Sequence, residues 1–167
     1  MISRHKQKGA ETVEFAMIAL LFFGVLFAII EFSRAMFVWN ALTEATRRGA
    51  RMAVICPLGS SVPKQVAIFG DKSGLLATSP IIVGLTPDMV AINYFYIDPA
   101  GVKTTTLNPA QAKFTEVSIT GYTHTLMIPL WGSSVSAPEF NTTLPTESLG
   151  AVPSYPGDPV SAPNCSF

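Results

Sequence analysis

His5 and His124 are the only histidines in this 167-residue chain, and Cys56 and Cys165 the only cysteines. Their spacing matches no zinc-binding pattern, so neither a metal centre nor another cofactor is expected. His124 stands in a threonine-rich run, Thr123-His124-Thr125, and reads as a surface or hydrogen-bonded residue rather than a base. Gly70-Asp71-Lys72-Ser73-Gly74 sets a Lys-Ser pair among glycines but lacks the four-residue spacer of a phosphate loop, so it reads as a turn. With no nucleophile, base and orienting group in sight, the expectation is a protein that is not an enzyme. The residues that do ask for a chemical account are Glu11 and Glu14, at the lip of the apolar run in KQKGAETVEFAMIALLFFGVLFAII. A charge at the edge of a membrane span is costly unless something pairs with it.

The element that must position these carboxylates is a long helix. Phe15 to Ile30 carries no charge, and the segment Ala10 to Val38 has ample length for a span because Glu11, Glu14, Glu31 and Arg34 lie near its ends. Arg4, His5, Lys6 and Lys8 precede it with no acidic residue among them, which holds the leader in the cytoplasm and exports the chain beyond the span. A cleaved secretory signal would end in small residues. This run ends in Ile29-Ile30-Glu31-Phe32, so retention as a single-pass anchor is expected.

No breaker except Gly24 and Gly49 interrupts the pattern between Ala10 and Ala50, and Pro57 stops it after Cys56. That predicts one helix of about 45 residues, about 68 Å long at 1.5 Å per residue, longer than a bilayer is thick. Its second half is amphipathic. Asn40, Glu44, Arg47 and Arg51 follow one stripe, a solvated face on which Glu44 pairs with Arg47 and Arg48, while Trp39, Leu42, Thr46, Gly49 and Ala53 follow the other. Glycine costs about 1 kcal/mol in a helix interior, so Gly49 implies close approach of another surface, and a sheet is expected against it.

After Pro57 the texture turns to short β-rich runs. Val90 to Ile97 alternates before the turn Asp98-Pro99-Ala100-Gly101, and Phe114 to Leu126 predicts a second antiparallel strand. Further strand material is expected at Val102 to Leu107 and Asn141 to Leu144, and Pro63 to Leu76 is open to a short helix. Six of the thirteen prolines fall in 138–167, which reads as loop over the domain or tail. The division is therefore 1–9 leader, 10–55 helix, 56–137 β-rich domain and 138–167 proline-rich segment, an α+β fold. If the domain is exported, Cys56 and Cys165 are candidates for one disulfide. The formal net charge of +0 gives no pull toward nucleic acid, whereas 49% hydrophobic against 13% charged residues, concentrated near the N-terminus, points to lipid.

The basic leader, KGAETVEFAMIALLFFG, then EFSRAMFVWNALTEATRRGARMAV and a smaller β-rich domain, together resemble the TadE family of pilin-like proteins of the bacterial tight-adherence (Flp, type IVc) pilus system. The resemblance is close over Lys8 to Val54 and looser over FTEVSITGYTHTLMIPLWG. It implies a pilin-like fold, a membrane-held helix packed on a small antiparallel sheet. It also implies cleavage by a prepilin peptidase after Gly9, so that Ala10 becomes the first residue, Glu14 the fifth and Phe15 the sixth. Pilins of this system typically have Glu-Tyr there; this chain keeps the aromatic ring and lacks the hydroxyl. Glu14 would then neutralise the new α-amino group, in its own chain or a neighbour's, and set axial register, while Glu11 adds only charge at the helix start. Implied partners are the peptidase, other pilins or pseudopilins and the assembly platform in the inner membrane, with the C-terminal domain in the periplasm. Gly24 and Ala28 form a small-xxx-small pair for lateral packing. The alternative is a membrane-anchored periplasmic binding module with an uncleaved N-terminus.

Overall fold

The structure is a computed structural model that describes residues 8–70, 78–128, 134–150 and 165. Most of the Gly70 to Gly74 turn, the leader through Gln7 and most of the proline-rich tail lie outside them.

Helix α1 runs Lys8–Ala53, 46 residues, with Glu11 in its first turn and Arg51 in its last, the charge order a helix dipole favours. It ends where expected. Cys56 N–H still donates to the Met52 carbonyl, and Pro57 forbids continuation. Among the described residues it is followed by α2 (Val62–Ala67), opened by Pro63 in its first turn, a 3-10 turn (Pro87–Met89), and the strands β1 Val90–Ile97, β2 Lys103–Thr105, β3 Phe114–Ile119, β4 Thr123–Thr125, β5 Ser134–Ser136 and β6 Phe140–Pro145.

Four strands form an antiparallel sheet in the order β2-β1-β3-β6, and β4 pairs with β5 as a separate hairpin. The β1–β2 turn is built by Asp98, whose Oδ1 accepts from Ala100 and Val102 N–H at 2.9 Å each, with Gly101 at φ +82. That left-handed conformation is the one glycine adopts without strain. Register is consistent with the pleat: Ile92 faces Val117 on β3, and Val117 faces Thr142 on β6. On the outer face Lys103 pairs with Glu116 at 2.7 Å and lies over the Phe95 ring. A surface pair of this kind contributes less than about 1 kcal/mol.

The second strand is shorter than the sequence suggests. Phe114 to Leu126 breaks at Gly121, which sits at φ +74, and the chain after it leaves the main sheet to start β4. Beyond the break, the Tyr122 hydroxyl donates to the Val83 carbonyl at 3.1 Å. The strand expected at Asn141 to Leu144 is present as β6, within the proline-rich segment, and forms the sheet edge beside β3.

The core lies between the second half of α1 and the sheet. Leu42, Ala45, Ala50 and Ala53 from α1 meet Ala67 and Ile68, Ile82 and Leu85, and Val117 and Ile119, all essentially solvent-free. Fully burying a side chain such as Leu42 or Ile119 is worth about 1.5 to 3 kcal/mol. The first half of α1 is the opposite: among the described residues nothing covers its most apolar window, with Phe15, Leu20, Leu21 and Val25 all exposed.

Candidate functional site

The helix is two devices joined end to end. At the domain end, Gly49 is the contact point. A Cβ placed there would stand 2.9 Å from the Ala67 Cβ of α2 and 3.3 Å from the Val117 Cγ1 of β3, so only glycine allows this approach. The expected close surface is therefore present, but α2 makes the tightest contact and the sheet lies beside it. One turn earlier, Thr46 Oγ1 donates to the Thr43 carbonyl and shares a 2.8 Å bond with Thr142 Oγ1 of β6. Thr46 has one hydroxyl hydrogen, so Thr142 is the donor across the interface.

The end of α1 is closed by the chain that leaves β6. Glu147 and Leu149 N–H both donate to the Val54 carbonyl, one of the groups a helix C-terminus leaves unpaired. Cys56 and Cys165 are joined by a disulfide at the same end, with Cα atoms 5.4 Å apart across a sequence separation of 109. The charged stripe is exposed as expected, but among the described residues Glu44 pairs with neither arginine. Arg48 lies instead over the Phe69 ring, 4.8 Å from its centroid.

At the other end, Gly9, Ala10, Glu14 and Phe15 all lie in the first turns of α1 and are exposed. Helical geometry places Glu14 one turn from Ala10, and among the described residues Glu14 forms no ion pair. Gly24 differs from Gly49, since a Cβ there would meet nothing within 4 Å. Gly24 and Ala28 instead floor a shallow apolar groove walled by Leu20, Leu21, Ile29 and Phe32. A small-residue notch on an uncovered apolar helix can receive a neighbouring helix by close packing.

Between the two devices sits a polar junction that the sequence reveals only in half. Glu31 and Arg34 pair at 2.7 Å, as charges at the end of a span are expected to do. Glu31 also accepts from Met127 N–H at 3.2 Å and stands 3.6 Å from His124 Nε2. His124 is not a surface residue: it is 3% exposed, with its Nε2 lacking a hydrogen-bond partner among the described residues. Nothing local signals this, because Glu31 lies far away in sequence on α1. Burial pushes the Tyr122 phenol above its ordinary value, with the Arg34 charge acting the other way.

Among the described residues one helix is long and apolar enough to cross a membrane, which suggests membrane anchoring, and it packs through its second half on a small antiparallel sheet, an α+β arrangement. Residues 9–51, most of that helix, match the family model described as TadE, TadE-like protein, a similarity that supports a TadE-like protein of Tad pilus systems. No curated protein and no solved structure gives a significant match.

Proposed function

We propose that the protein is a non-enzymatic minor pilin or pseudopilin that takes part in assembling a tight-adherence (type IVc) pilus. The observation that carries this reading is the division of α1, within the stretch that matches the TadE-like family, into a half locked onto its own domain and a half left uncovered. The locked half makes the domain and helix move as one body. The uncovered half is available for other spans, with the Gly24–Ala28 notch as its point of closest approach.

In this reading a prepilin peptidase cuts after Gly9 at the cytoplasmic face of the inner membrane, and the domain stands in the periplasm. The freed Ala10 amine then meets Glu14, of the same chain or the neighbour. In a medium of low dielectric an unpaired charge is expensive, so a helix that slips out of axial register forfeits the pair and is disfavoured. Phe15 follows as an apolar contact. The test is Glu14→Ala in the native host. Membrane insertion persists and pilus assembly fails if the reading holds; normal piliation in that variant contradicts it. A tethered binding module, in contrast, would keep Met1 to Gly9 and would be indifferent to Glu14.

A further inference from the structure

The β4–β5 hairpin does not complete the core. It lies along α1 near the end of the uncharged run, and between them is a groove enclosing about 430 Å³, within the size range of small-molecule sites. Its walls are almost wholly apolar: Phe27, Ala28 and Phe32 from α1, and Leu126, Ile128 and Val135 from the hairpin region. Phe27 and Ala28 belong to the uncharged run, so the groove begins at membrane depth. Glu31, Trp39 and His124 mark where its lining turns polar. Two ring nitrogens there, Trp39 Nε1 and His124 Nε2, are shielded from solvent without a hydrogen-bond partner among the described residues. Shielded polar groups left unsatisfied are unfavourable, so a hydrogen-bonding partner there is favoured.

We infer that this groove holds a glycerophospholipid from the leaflet next to the folded domain. One acyl chain lies along Phe27, Phe32, Ile128 and Val135, and the ester and phosphate oxygens face Trp39 and His124. Those oxygens only accept hydrogen bonds, so the Trp39 N–H serves as donor, and so does His124 with its proton on Nε2. The contact requires each ring to turn its shielded nitrogen toward them. A neighbouring helix is the competing occupant and fits less well, because its backbone carbonyls are already bonded within the helix and bring no acceptor to these nitrogens. The Glu31–Arg34 pair, half exposed on the arginine side, sits at the depth where headgroup and acyl chain meet.

The inference rests on α1 being a membrane span, and the experiment separates the two. Full-length protein carrying Trp131→Phe, so that Trp39 is the sole tryptophan, is reconstituted into phosphatidylcholine vesicles whose acyl chains are brominated near the ester or near the terminal methyl. The expected result is flotation with the vesicles and quenching of Trp39, stronger from bromines near the ester. Ala35→Phe and, from the hairpin side, Val135→Phe fill the groove and lose that quenching while still floating. Protein that floats with Trp39 unquenched, or with quenching unchanged in both fillers, overturns the lipid site and leaves the span intact. Quenching that disappears as protein density rises assigns the groove to a second copy and overturns it too. Protein that does not float overturns the span and the groove together.

Discussion

Gly49 on α1 and Ala67 on α2 are so close that a β-carbon on the glycine would stand 2.9 Å from the alanine's. The same helix carries Gly24, where a β-carbon meets nothing within 4 Å. Two glycines of one helix thus serve different ends, one inside the molecule and one facing outward.

Gly49→Ala is expected to destabilise the domain. Overpacking a close contact costs about 1 to 3 kcal/mol, only partly offset by the gain of about 1 kcal/mol in helix propensity. Gly24→Ala gains propensity without a clash, so thermal unfolding of the domain should not worsen. Its effect should appear in lateral association of the spans, read by cross-linking in membranes.

Thr46→Val removes the acceptor for Thr142 and the bond to the Thr43 carbonyl from a site with no solvent. A loss of about 1 kcal/mol, and up to about 3 where the Thr142 hydroxyl finds no other partner, is expected in denaturant unfolding. The double variant with Thr142→Val should lose less than the sum of the two single changes, since both remove one shared bond.

Reduction of Cys56–Cys165 should lower stability by up to about 4 to 5 kcal/mol on chain-entropy grounds, and less where the unfolded chain keeps residual structure. Unfolding with and without reductant checks this, together with a change in gel mobility. Cys56→Ser combined with Cys165→Ser should be insensitive to reductant.

Alkaline pH should unfold the domain sooner. Burial holds the Tyr94 and Tyr122 phenols above their ordinary value of 10.0. The folded state therefore keeps protons that the unfolded state has released. Their contribution is constant below about pH 10 and falls as pH rises from the unfolded value through the folded one. Tyr94→Phe should flatten that decline without changing the pH profile near neutrality; an unchanged alkaline slope would contradict it.

Much of this architecture is legible because it is local. The apolar run and Pro57 bound α1, the alternation in Val90 to Ile97 marks β1, and Asp98 to Gly101 marks its turn. The small residues Thr46, Gly49 and Ala53 announce a close surface, yet they cannot say that α2 comes nearest. The break at Gly121 is hidden in the sequence, because threonine and aromatic residues on either side share β-propensity and read as one continuing strand. His124 is illegible for a different reason. Its burial is created by Glu31 and α1, a pairing that depends on how β4 leaves the sheet and that no nearby residue encodes.

The central claim is that α1 becomes an assembly helix once its leader is removed, with Glu14 facing an amine at Ala10. The most direct measurement is the intact mass, with N-terminal sequence, of the protein extracted from its native membranes. A chain beginning at Ala10 is the predicted result; a chain beginning at Met1 would contradict it.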